Sequence, residues 1–151
     1  MTETAERRSS VALPDPADAE PPLRVLYDED CPFCRWTAER LRRWDRGRRL
    51  RLIPYDRVKQ EPELSAAVRG ERLGVTIHVV NADGRVARGG EAALAIVALL
   101  PGGDPVVRLV RAVPPARAAV EFGYGLLNRF RGPLARVLHL DGPRLDERHV
   151  D

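Results

Sequence analysis

The stretch LRVLYDEDCPFCRW, residues 23–36, decides how this chain is read. Leu23 to Tyr27 is a short run of apolar and β-favouring residues, long enough for one buried strand. Asp28-Glu29-Asp30 breaks the run, and Cys31-Pro32-Phe33-Cys34 follows at once. Beyond it Phe33, Trp36, Thr37, Leu41 and Trp44 recur at the spacing of one helix face. A strand therefore delivers a Cys-x-x-Cys pair into the first turn of a helix. Unpaired backbone N–H groups and the helix dipole favour a thiolate at that end. Pro32 is tolerated there because the first turn needs no N–H from it.

Position along the helix divides the roles of the two sulfurs. Cys31 stands at the helix start, where a thiolate is most exposed and most stabilised, so it is the expected nucleophile. Cys34 lies one turn in and is the expected resolving thiol. Asp28 has two readings: it takes up or returns the proton of Cys34, or it caps the helix. Asp30 is an equally good cap. Arg35, Arg40 and the Arg42-Arg43 pair add positive potential nearby, unless their side chains turn to solvent. A structural zinc site is the rival reading of the pair, but it needs further ligands. His78, His139 and His149 are not spaced like those of a finger. Two inert thiols are the remaining alternative, against which the place at a helix start argues. No metal and no other cofactor is expected.

Working outward, Leu50 to Pro54 alternates well enough for a second strand, parallel to the first across the helix. The helix between them is expected to stop near Arg46-Gly47. A helical piece is expected over Pro62 to Arg69. Val75 to Val80 is the most β-prone run, and Asn81-Ala82-Asp83-Gly84 turns it into a short return strand over Arg85 to Arg88. Gly90 to Leu100 is nearly all apolar and too short to span a bilayer, so it reads as a helix buried on the sheet. After the break at Pro101 to Pro105, two further helices are expected over Val106 to Ala112 and Ala116 to Phe130, the second packing through Val120, Tyr124, Leu127 and Phe130. The alternative for this last helix is a basic surface of Arg117, Arg129, Arg131 and Arg136 that meets a membrane or partner.

Composition bounds the rest. With 151 residues, 44% of them hydrophobic, the chain is one globular domain with a real core. Residues 1–22 carry no periodicity and read as a disordered leader; residues 23–131 form the domain, and 132–151 a loose tail. A formal charge of +3 with 5% aromatic residues does not suit a nucleic-acid binder. The only cysteines are Cys31 and Cys34, unlike a secreted disulfide scaffold, and no signal-peptide core appears in the leader. A cytoplasmic location is the default expectation.

Asp28-x-x-Cys31-x-x-Cys34 after Val-Leu-Tyr resembles the DCC family of thiol-disulfide oxidoreductases, named for that signature. The resemblance continues through Gly84-Arg85-Val86 and Gly89-Gly90-Glu91-Ala92 to Tyr124 and Asn128-Arg129-Phe130-Arg131. It implies a thioredoxin-like α/β fold, with a βαβ-α-ββα sheet and a C-terminal helical extension, and a functional role for Asp28. In thioredoxins and glutaredoxins, a cis-proline before the third strand lies beside the dithiol, and the residue preceding it hydrogen-bonds substrate. The corresponding segment here is Thr76-Ile77-His78, the candidate substrate-binding residues. It has no proline, so a trans bond is expected. His78 either faces the dithiol or packs in the core. Gly89-Gly90-Glu91 falls where glutaredoxins hold the carboxylate of glutathione at a helix N-terminus, although the acid at Glu91 opposes such binding.

The expected function is thiol-disulfide exchange with a disulfide-containing protein or small-thiol substrate, regenerated by an unidentified electron donor. The alternative is a non-catalytic adaptor that binds a partner protein through its C-terminal helices.

Overall fold

The computed structural model describes residues 22–140. The expected leader lies, Pro22 apart, outside the described residues, as do residues 141–151 of the tail. Strand β1 (Leu23–Tyr27) runs down the middle of a four-stranded sheet of order β2-β1-β3-β4. It pairs in parallel with β2 (Leu50–Pro54) and antiparallel with β3 (His78–Val80), which forms a hairpin with β4 (Val86–Arg88). Helix α1 (Pro32–Trp44) makes the crossover from β1 to β2, and α2 (Tyr55–Val58) and α3 (Pro62–Ala67) lead to the hairpin. Helices α4 (Gly89–Leu99), α5 (Gly103–Ala112) and α6 (Pro114–Val137) follow. This is a thioredoxin-like arrangement with two helices added at its C-terminal end.

Side-chain alternation sends the sheet into two cores. Val25 and Val79 face Leu41 of α1 and Ala92 and Ile96 of α4. Leu26 and Val80 face the opposite way, into a cluster with Ile53, Val58, Leu64 and Val68. Burial on both faces is why β1 reads as a nearly unbroken apolar run. Helix α5 can approach α4 closely because Gly103 has no Cβ, which would otherwise collide with the carbonyl oxygen of Val97.

Several local expectations are corrected. Trp44 is 56% exposed, and Trp36 stacks on Phe33 with Arg40 over its ring. The buried stripe of α1 is instead centred on Ala38 and Leu41, because Trp36, Arg40 and Trp44 share the outer face. The helix stops at Trp44, before Gly47, since the Asp45 carboxylate takes the backbone N–H groups of Arg49 and Leu50 and turns the chain. The strand expected from Val75 begins only at His78. Helix α6 continues through Gly132 and Pro133 to Val137, so residues 132–137 belong to it and not to the tail. Its inward face carries Tyr124, Asn128, Arg131 and the buried Ala135, while Phe130 is 50% exposed.

Candidate active site

Cys31 is itself the N-cap of α1, in extended backbone, and its sulfur accepts the N–H of Cys34 at 3.3 Å. Neither Asp28 nor Asp30 takes that capping place. Asp28 instead accepts the N–H of Asp30 at 3.0 Å, which tightens the turn between β1 and α1. Both cysteines are free and partly buried. Hydrogen bonding with Cys34 brings the Cys31 thiol from 9.0 down to about 6, and the charge of Arg131 helps against the opposing effects of burial and of Asp28. Cys34 moves the other way: its bond to Cys31, its burial and the negative charge on Cys31 all push its thiol up. One sulfur is thus poised as thiolate at neutral pH and its neighbour as thiol.

The cation that acts on the dithiol comes from α6. Arg131 has one terminal nitrogen 4.0 Å from the Cys34 sulfur, while the other donates to the Gly74 carbonyl at 2.7 Å. The arginines of α1 turn elsewhere: Arg35 donates to the Glu29 carbonyl, Arg40 covers Trp36, and Arg42 and Arg43 bond the buried Glu39.

Residues 74–77 lie beside the dithiol and leave the expected strand for a clear reason. Several of their backbone groups are taken by side chains of other elements. Asn128 donates to the Val75 carbonyl at 2.7 Å, and Tyr55 donates to that of Thr76 at 2.7 Å. The Tyr124 hydroxyl accepts the N–H of Ile77 at 3.0 Å and the Thr76 hydroxyl at 3.2 Å. The backbone N–H of Ile77 and carbonyl of Thr76 are therefore already engaged within the chain. Among the described residues no peptide bond is cis.

Thr76 and Ile77 line a cavity with Cys34 and Asp28, but His78 does not. His78 is 1% exposed and lies opposite Leu26, on the far face of the sheet. Its ring is held by the Thr76 carbonyl, 2.9 Å from Nδ1, and by Glu71, 3.4 Å from Nε2. At the start of α4, Glu121 of α6 accepts the Gly90 N–H at 3.3 Å, and Glu91 pairs with Arg117 at 2.6 Å. Among the described residues no group of His, Cys, Asp or Glu is arranged to hold a metal ion, and no helix is long and apolar enough to cross a membrane.

A free Cys-x-x-Cys pair at a helix start, in a thioredoxin-like sheet, is suited to thiol chemistry. The family model described as DCC1-like thiol-disulfide oxidoreductase matches residues 25–137, most of the chain. The chain belongs to that family. No curated protein and no solved structure matches it. Membership in the DCC1-like family, with the two cysteines adjacent, supports a thiol-disulfide oxidoreductase role. Along the chain Tyr124, Asn128 and Arg131 are marked only by the family resemblance and by a helix surface. Periodicity along α6 gives no sign that they hold the loop beside Cys34.

Proposed function

We propose that this DCC1-like protein exchanges thiols for disulfides through Cys31 and Cys34, with Cys31 as nucleophile. The observation that carries the reading is the Cys31 sulfur at the cap of α1, bonded by the Cys34 N–H and depressed to about 6. A thiolate near ambient pH combines availability with nucleophilicity. Attack on a substrate disulfide forms a mixed disulfide at Cys31 and expels one substrate thiolate. Cys34 then loses its proton and attacks the Cys31 sulfur, releasing the second substrate thiolate and closing the Cys31–Cys34 disulfide. Asp28, in the same cavity wall as Cys34, is the proposed acceptor for that proton. Thr76 and Ile77 contact substrate through the cavity wall. An external dithiol reductant returns the pair to the reduced state.

The test is trapping. Cys34→Ser accumulates mixed disulfides with protein or small-thiol substrates, whereas Cys31→Ser traps almost none. Iodoacetamide at mildly acidic pH labels Cys31 before Cys34, read by peptide mass spectrometry. The reverse order, with trapping by Cys31→Ser, would sink the assignment.

The surface of α6 favours a second reading, the adaptor. Phe122 is 74% and Val137 73% exposed, and Leu126 and Phe130 lie between them on the same helix. A reduction potential outside the range of cellular dithiol reductants would favour that reading over exchange.

A further inference from the structure

Cys34, the partner of Cys31, opens on more space than exchange alone requires. A cavity of about 240 Å³ lies between α1, the sheet, α4 and α6. Its wall is largely aliphatic and aromatic, including Phe33, Leu41, Ala93, Ile96, Val97 and Leu127. An apolar cavity of about 150 Å³ takes a benzene ring, so this one has room for roughly ten carbon atoms. The polar side chains at its edge are committed to the 74–77 backbone, through Tyr55, Tyr124, Asn128 and Arg131. Asp28 and Cys34 apart, what faces inward is mostly apolar surface.

A second observation bears on the charge of the ligand. The start of α4, where an external carboxylate could be held, is filled by the carboxylate of Glu121. A Cβ on residue 90 would come within 2.7 Å of that carboxyl group, so Gly90 is what lets Glu121 sit there. An anionic tripeptide disulfide would meet like charge at that point.

We propose that the cavity receives the organic group of a small, uncharged alkyl disulfide, and that such disulfides are the substrate class. The proposal rests on the exchange reading above. The Cys31 thiolate attacks one sulfur of R–S–S–R, forming Cys31–S–S–R and releasing R–S⁻. The retained R group lies in the cavity next to Cys34. Loss of the Cys34 proton and attack on the Cys31 sulfur release the second R–S⁻. Two electrons pass from the protein dithiol to the substrate, and the two released thiolates take up protons from Asp28 and solvent.

The experiment mixes the reduced full chain, without oxygen, with bis(2-hydroxyethyl) disulfide, bis(6-hydroxyhexyl) disulfide or glutathione disulfide. Loss of both protein thiols is followed by intact mass after acid quench. The two hydroxyalkyl compounds share the same end groups and differ in the length of the apolar chain. At limiting concentration the hexyl compound reacts at least about tenfold faster than the ethyl one, as burial of extra methylenes requires. Filling the cavity by Val97→Phe, or by the smaller Ala93→Leu, brings that ratio towards one. Equal rates in the unaltered protein, or a ratio that a folded filling variant does not move, overturn the cavity assignment and leave exchange standing. Glutathione disulfide reacting faster than the hexyl compound overturns the substrate class. No reaction with any of the three overturns the exchange reading itself, and this assignment with it.

Discussion

Arg131 donates to the Gly74 carbonyl at 2.7 Å and at the same time holds a terminal nitrogen 4.0 Å from the Cys34 sulfur. One guanidinium thus fastens the loop beside the dithiol and lowers the pKa of both thiols. Its rigid fork allows both contacts, which a lysine cannot reproduce.

Arg131→Met keeps an extended stem and removes the charge. Alkylation of Cys31 at pH 6 should slow several-fold, because the thiolate loses the cation that lowers its pKa. Stability should fall by about 1 kcal/mol with the loss of the bond to Gly74. Arg131→Lys should recover much of the alkylation rate and little of the stability. Equal alkylation profiles for Met and Arg at this position would show that the charge does not act on the sulfur.

The reduced protein should become more stable as pH rises from about 6 towards 9. Cys31 is depressed from 9.0 to about 6, so across that window the unfolded chain binds a proton that the folded one has released. The stabilisation is present in full above the unfolded value and is lost as pH falls through the folded one. A shift of that size corresponds to about 4 kcal/mol if unscreened. Solvent at this partly exposed sulfur should reduce it to about 1–2 kcal/mol. Urea unfolding at pH 6 and pH 8.5 measures it. Cys31→Ser should flatten the difference, and a slope that survives in that variant assigns it to another group.

Asp28→Asn should separate two effects of opposite sign. Its carboxylate raises the pKa of Cys31, so removing the charge should make alkylation at low pH faster. If Asp28 also accepts the Cys34 proton, resolution of a preformed mixed disulfide on Cys31 should slow by roughly 10²-fold. Resolution at the unaltered rate would reduce Asp28 to its turn contact with Asp30.

Tyr124→Phe removes the hydroxyl that accepts the Ile77 N–H at 3.0 Å. A partly buried donor left without a partner should cost about 1–3 kcal/mol. Amide exchange at Ile77 should accelerate far more than at Val79 in the sheet. Comparable acceleration at both would mean that the hydroxyl supports the whole domain rather than the loop.

Glu121→Ala vacates the N-terminus of α4. Melting temperature should drop in dilute buffer and recover as sulfate is added, because the freed Gly90 N–H and the helix dipole take an anion in place of the carboxylate. The unaltered protein should show a weaker sulfate response. Identical responses would mean that Glu121 does not fill that place.

Much of this molecule was legible along the chain. The apolar run Leu23 to Tyr27 followed by Asp28, Cys31 and Cys34 indicated a buried strand that ends in a dithiol at a helix start, because burial on both faces and helix-end chemistry are local properties. The hairpin around Asn81 to Gly84 was readable for the same reason. Four things were decided only by the tertiary structure. Trp36 and Trp44 fit an apolar stripe as well as Ala38 and Leu41 do, and only docking on the sheet chose which would be buried. Val75 to Ile77 is as β-prone as any strand here, yet side chains from α2 and α6 took its backbone bonds. His78 sat one residue beyond a segment that faces the dithiol, and the two-residue alternation of a strand turned it to the other side. The link between Cys34 and Arg131 spans 97 residues, and no spacing rule along a chain reaches so far. It exists because α6 folds back over α1 and α4, which places a guanidinium where the dithiol needs a positive charge.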